Sequence, residues 1–415
     1  MLRWPDTLVF SRLLNKLGPG AALFAVITYF EFAVVALISL YYTYSASEHV
    51  LASSSVTFLI ISYGMYLALG IHNGVLRDTA IEGDEQKRAR LLAFEILFSV
   101  LLAAVMFISS FIVSDLWWCY GLLVASANQL KTGAYTIFRI SKNDRWLNVV
   151  KAAWVFMFCV SFFLCANFKD IETAFFASWC FSLYIVMLPA LFFGFYKYKK
   201  EIKVPVTNTQ LLLMAPGLIK SSGYIFLAML GVTGFVTFDR LWLNTIDLKD
   251  DKILAQFQFF DVWTNIFFLG VSTIIFYFTP DLLKSYSLDE GRGKLLDSVS
   301  RASKVITVLA LLFIVFSLPV LYLIERYSTS GIVVLASMTA LKSLLLIIGF
   351  FGNYLIANHK ERLIVMLYFS FLLLLMIGAS FLFPSVELIY IPTFVAVSLM
   401  LLLFLFKFLL VKGKF

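Results

Sequence analysis

The feature that most constrains this chain is a succession of about twelve long apolar stretches with very little between them. A helix that crosses a bilayer needs roughly 20 mostly apolar residues, because lipid cannot bond a free backbone N–H or C=O. In the first half the stretches read as spans over Gly18 to Tyr44, Leu51 to Leu76, Leu91 to Val113, Leu116 to Phe138, Leu147 to Ala166 and Thr173 to Phe195. In the second half they cover Leu211 to Leu243, Ile253 to Leu283, Val305 to Ile324, Gly331 to Ala357, Leu363 to Phe383 and Leu388 to Phe406. The shortest turn lies between the third and fourth, where only Ser114 and Asp115 intervene. The expected fold class is therefore an all-α polytopic membrane protein.

Composition agrees about the solvent. Hydrophobic residues make up 61% of the chain and charged residues only 14%. A soluble domain carries about 25% charged residues. The net charge of +8 is no nucleic-acid footprint, because the basic residues sit in short loops between apolar runs. One set of loops holds clusters such as Arg77, Lys87, Arg88 and Arg90, or Arg139, Lys142, Arg145 and Lys151. A further cluster, Lys197, Lys199, Lys200 and Lys203, follows the sixth span, while the opposite loops hold only Lys169, Lys249, Lys252 and Arg326. Cytoplasmic loops collect Lys and Arg. Both termini are therefore expected in the cytoplasm, with an even number of spans. A segment from Trp4 to Lys16 reads as amphipathic on that surface. No cleavable signal peptide is expected, since the first apolar run is too long for one and contains Glu31.

The basic linker Tyr196 to Gln210 divides the chain into halves of six spans, residues 1–200 and 201–415. The halves echo one another. Leu17-Gly18-Pro19-Gly20 opens the first span and Met214-Ala215-Pro216-Gly217 the seventh. Ala125-Ser126 to Leu130-Lys131-Thr132 on the fourth matches Ala336-Ser337 to Leu341-Lys342-Ser343 on the tenth. Six is even, so both halves enter the membrane alike. The expected architecture is two six-helix bundles related by a pseudo-twofold axis along the membrane normal.

Several chemistries are disfavoured. The cysteines, Cys119, Cys159, Cys165 and Cys180, form no CxxC pair, and the histidines His49, His72 and His359 are far apart, so neither a cofactor nor a metal is expected. A Walker A sequence, a long outer loop with paired carboxylates and a repeated pore loop are all missing.

Ionisable residues inside spans are costly and mark polar interiors. Glu31 sits near the middle of the first span, and Lys342 lies roughly 16 Å into the tenth at 1.5 Å per residue. Lys131 and Lys220 occupy the fourth and seventh, Asp261 the eighth, and Asp239 with Arg240 the outer end of the seventh. Asn128 and Tyr135 flank Lys131 at i−3 and i+4, and Tyr224 follows Lys220 at i+4, which makes polar stripes. Two readings stay open for each charge. The lysines either face a cationic lumen or snorkel to an interface. Glu31 either pairs with one of these lysines or couples an ion. Asp239 and Arg240 read as an interface ion pair on chemistry alone.

Ala215-Pro216-Gly217 runs on to Phe238-Asp239-Arg240 and through Phe257-Gln258-Phe259-Phe260 to Thr279-Pro280-Asp281. With twelve spans in two halves, this pattern resembles the bacterial oligosaccharide-lipid (O-antigen-type) flippases. These belong to the multidrug, oligosaccharidyl-lipid and polysaccharide exporter superfamily. The chain lacks the tight acidic signatures of the cation-coupled drug exporters. The resemblance implies a flippase of the bacterial inner membrane that moves undecaprenyl-diphosphate-linked oligosaccharide by alternating access, for surface polysaccharide biosynthesis. It implies Lys131, Lys220, Lys342 and Arg240 as diphosphate contacts, Asn128, Tyr135 and Tyr224 as polar lumen, and Glu31 and Asp261 as ion-coupling groups. Coupling to a proton or sodium gradient, a monomer in membrane lipid, contact with glycan polymerase machinery and no nucleic acid complete the expectation. The alternatives are a drug or metabolite exporter of the same superfamily and, in a different class, a membrane-embedded glycan polymerase.

Overall fold

A computed structural model describes residues 19–72, 75, 85–140, 144–201, 215–245, 251–286, 291–324, 328–358, 360–383 and 387–412. The amphipathic segment Trp4 to Lys16, the side chains of Thr279-Pro280-Asp281 and the linker from residue 202 onward lie outside the described part.

Twelve long helices are present among the described residues. They are α1 (Pro19–Ser45), α2 (Glu48–Gly64), α3 (Glu85–Ile112), α4 (Leu116–Ile140), α5 (Asp144–Ala166) and α6 (Ile171–Glu201). Then follow α7 (Ala215–Thr245), α8 (Asp251–Tyr286), α9 (Gly291–Leu323), α10 (Thr329–Ala357), α11 (Glu361–Leu382) and α12 (Ile391–Val411). Ten helical stretches are long and apolar enough to cross a membrane. The protein is a multi-pass membrane protein. Those ten do not include α4 or α8, and these two bring Gln129 and Lys131, and Gln258, Asp261 and Asn265, into polar clusters.

Local chemistry sets the helix starts. The three-residue turn before α4 holds because Asp115 Oδ1 accepts from the backbone N–H groups of Trp117 at 2.9 Å and Trp118 at 3.0 Å. That carboxylate caps otherwise unpartnered donors, so a full stop fits between two apolar runs. Ser328 Oγ does the same for Gly331 N at 3.0 Å ahead of α10. Pro19 and Pro216 stand in the first turns of α1 and α7, where a missing N–H costs no helical bond, whereas Pro189 and Pro319 lie inside α6 and α9.

The second apolar run differs from its expected course. Instead of one helix to residue 76, α2 tightens into a 3-10 turn over Met65–Ala68, and Leu69 and Gly70 take positive φ of 49° and 72°. A Cβ at Gly70 would also lie 2.8 Å from the Phe226 side chain. Hydropathy sees only apolar residues there and cannot report a left-handed pair.

The chain forms two compact units. Unit 1 is residues 1–38, 71–114 and 122–220, and in it α5 packs along α6 and α3 also meets α6. Unit 2 is residues 39–70, 115–121 and 221–415. There α8 lies against both α2 and α10, and α10 also contacts α9 and α12. Within unit 2, Gly121 on α4 lets α2 approach closely, since a Cβ would stand 2.7 Å from Ile60 Cβ.

The echo between α4 and α10 has a bonded counterpart in each unit. Ser126 on α4 donates to Ala103 O at 2.6 Å and bonds the Tyr184 hydroxyl on α6. Ser337 on α10 bonds Thr393 on α12 at 2.6 Å. Both serines tie their helix to the one two places further along the chain.

Candidate functional site

Three buried polar clusters stand out, two in unit 1 and one in unit 2. The first centres on Glu31. Each of three helices supplies a pair at helical spacing, Thr28 and Glu31 from α1, Lys131 and Tyr135 from α4, Lys151 and Trp154 from α5. Residues three or four apart share a face, so each helix turns one polar edge inward. Glu31 Oε1 meets Lys131 Nζ at 2.6 Å and accepts from the Tyr135 hydroxyl at 3.0 Å and Trp154 Nε1 at 3.1 Å. Glu31 Oε2 lies 3.5 Å from Lys151 Nζ, which donates to Thr28 Oγ1 at 2.7 Å. Lys131 Nζ also sits 4.2 Å from the Trp154 ring centre, a cation–π contact.

Lys151 corrects the sequence reading. Counted from sequence with a basic loop although the fifth span, Leu147 to Ala166, contains it, it lies within α5 with its side chain only 3% exposed. Its signal was available, since Lys151 and Trp154 sit three apart at the start of an apolar run. Glu31, Lys131 and Lys151 together leave one positive charge in excess. Lys131 is the more open of the two cations, at 23% against 3%.

The second cluster, in unit 2, joins α7, α8 and α10. Lys342 Nζ bonds Asp261 Oδ1 at 2.9 Å, Asp261 main-chain O at 2.9 Å, Thr264 Oγ1 at 2.7 Å and Asn265 Oδ1 at 2.8 Å. Three ammonium protons face four acceptors, so this cation is saturated. Arg240 Nη1 donates to Asp261 Oδ2 at 2.8 Å, and Asp239 Oδ1 lies 3.6 Å from Arg240 Nε. Asp239 and Arg240, read from sequence as an interface pair, are buried. Two carboxylates and two cations make this cluster neutral. The carboxylate that meets Lys342 is Asp261.

The third cluster, also in unit 1, escaped the sequence reading altogether. His72 Nδ1 bonds Glu95 Oε1 on α3, and His72 Nε2 lies 3.0 Å from Gln129 Oε1 on α4. Glu95 is fully buried and His72 nearly so. Glu95 lies inside the third apolar run, where it could have been seen as an intramembrane carboxylate. Its pairing could not, because His72 is 23 positions away.

The other expected lumen residues sit apart from these clusters. Lys220 and Tyr224 are exposed on α7, and Asn128 on α4 is half-buried. Among the described residues no group of three His, Cys, Asp or Glu side chains could hold a metal ion. What the arrangement offers chemically is a partly open cation in unit 1, a closed neutral network in unit 2, and an imidazole–carboxylate pair.

No protein-family model matches the chain, and no curated protein matches it. Solved structures do match its fold. Lipid II flippase MurJ in an inward closed conformation aligns with a TM-score of 0.67 and 14% identity, over 95% of this chain and 88% of that one. An inward-facing multidrug resistance MATE family transporter of the MOP superfamily aligns with a TM-score of 0.63 and 13% identity, over 92% and 95%. A MOP superfamily transporter from Pyrococcus furiosus, described as having a binding pocket of reverse polarity, gives 0.54 and 12%, over 96% and 96%. The chain therefore has the fold of these transporters over nearly its full length.

Proposed function

We propose that this protein is a flippase of the bacterial inner membrane, moving an undecaprenyl-diphosphate-linked oligosaccharide from the cytoplasmic to the periplasmic leaflet by alternating access. The observation that carries the reading is the excess positive charge around Glu31. Holding two cations and one carboxylate among apolar helices is expensive, and an anionic cargo compensates it. Lys131, the more open cation, is the diphosphate contact. Tyr135, half-buried beside it, offers a ring face suited to sugars, while Trp154 is buried against Lys131 and Glu31. Lys220, exposed near the start of α7, is a further cation for the anion, and Asn128 on α4 and Tyr224 on α7 are the polar groups. Lys342, saturated by Asp261 and its neighbours, and Arg240, paired with Asp261, order unit 2 and meet cargo only if that network opens.

The fold supports transport in general, since lipid II flippase MurJ and the multidrug transporters share it at low identity. A drug exporter is the second reading, but a cationic cargo would be repelled by the same charge excess. Both termini cytoplasmic, a monomer and contact with glycan polymerase machinery belong to the proposal. Deleting the gene tests it. Surface glycan should be lost while lipid-linked repeat units accumulate inside. Normal surface glycan in a strain without a substituting flippase would overturn it.

A further inference from the structure

We infer that His72, Glu95 and Gln129 form a binding site for a single proton, and that its occupancy is the coupling step of transport. The inference rests on the transport reading for its second half only. The site is made entirely within unit 1, from the segment after Gly70, from α3 and from α4. Both ring nitrogens of His72 face acceptors, Glu95 Oε1 at Nδ1 and Gln129 Oε1 at Nε2. An imidazolium, with two N–H donors, satisfies both acceptors at once, whereas a neutral imidazole satisfies one. Removing the proton leaves an acceptor facing an acceptor, so the Gln129 amide must turn over.

Burial makes the proton matter. Glu95 is 0% exposed and its Oε2 has no hydrogen-bond partner among the described residues. Without the proton the three residues carry a net charge of −1 at a buried carboxylate, which is far costlier than the neutral imidazolium–carboxylate pair. On α3, Phe98 lies edge-on to the ring, and Arg90 is five positions before Glu95. From α4 comes Gln129. The Tyr184 hydroxyl of α6 bonds Ser126 on α4, and its ring meets Phe107 on α3, twelve positions beyond Glu95. Among the described residues, the ion pair recorded for Glu95 is the one with His72.

The step balances simply. One proton adds to the neutral ring, a single N–H bond forms, and the cluster goes from net charge −1 to 0. The closed site holds the proton, and release requires access of water. Gln129 and Lys131 are two residues apart on α4, about 200° around the axis, and so bond on opposite faces. The proton site and the anion contact thus grip one helix from two sides, so a shift in α4 would be felt at both.

The chain has only three histidines, which makes the test direct. Protein labelled with nitrogen-15 at histidine is titrated by NMR in nanodiscs, and His49→Gln and His359→Gln assign the His72 signal by elimination. The His72 ring should titrate as an imidazolium with both nitrogens protonated at the acid end. Glu95→Gln should lower its proton affinity by about tenfold or more, one pH unit, through loss of the adjacent anion. A midpoint unmoved by Glu95→Gln, or a wild-type ring that holds one protonation state from about pH 5 to 9, would overturn the site. If Glu95→Gln does not fold, the wild-type titration still decides. For coupling, the rate at which surface glycan appears should vary with external pH in the wild type and be flat in Glu95→Gln. An unchanged pH profile would remove the coupling role while leaving the flippase reading intact. Normal glycan in the deletion strain would remove that reading while leaving the proton site standing.

Discussion

Lys342 and Asp261 meet twice, the ammonium bonding both Oδ1 and the main-chain carbonyl oxygen of the same residue at 2.9 Å. The second contact matters because a helical carbonyl is usually committed to its own helix. Lys342 therefore fastens α10 to the backbone of α8 as well as neutralising a charge. Removing the lysine should leave Asp239, Arg240 and Asp261 with a net negative charge in a buried site. Lys342→Met should accordingly lower abundance and stability by about 3 to 5 kcal/mol, the cost of stranding a buried ion. The double change Lys342→Met with Asp261→Asn restores neutrality and should recover most of the loss. Thermal melting followed by fluorescence-detected gel filtration reads both. An undiminished single variant would show that Lys342 is not structural.

The charge count around Glu31 makes a contrasting prediction. Lys131→Ala leaves Glu31 paired with Lys151, so abundance should stay near normal. Export should fall about ten- to hundredfold, the equivalent of the 1.5 to 3 kcal/mol of one charge-assisted bond. Adding Lys151→Met strands Glu31, and the pair of changes should lose the protein by the same 3 to 5 kcal/mol route. Glycan export in a complemented deletion strain, set against protein level, separates the effects. Full export by Lys131→Ala would remove it from the cargo path.

Packing at Gly121 is testable without any functional assay. A methyl group there would stand 2.7 Å from Ile60 Cβ, closer than side-chain carbons approach. Gly121→Ala should cost about 1 to 3 kcal/mol through overpacking. Ile60→Ala on the same background should return part of it, since the clash is pairwise. Equal melting temperatures for wild type and Gly121→Ala would mean that α2 and α4 do not approach this closely.

The distribution of Lys and Arg predicts orientation. A reporter fused after Phe415 should be active in the cytoplasm, and one fused after Lys203 likewise. A periplasmic signal at either position would reverse the topology.

The sequence alone determined the solvent and the element count. Twelve apolar stretches leave the backbone no option in lipid but helices, and most helix positions follow closely, from Pro19–Ser45 to Ile391–Val411, though α2 stops at Gly64 and α9 begins as early as Gly291. It also marked Glu31, Lys131, Asp261 and Lys342, because a charge among apolar residues is visible one residue at a time. The tertiary structure decided the partners. Glu31 belongs with Lys131 and Lys151, Lys342 with Asp261, and His72 with Glu95. Those pairings join residues from 23 to 120 positions apart. Hydropathy along the chain reports whether a segment enters lipid, not which face of it meets which neighbour. That choice lies in helix rotation and contact, where one residue of register turns a side chain by about 100°, from a partner toward lipid.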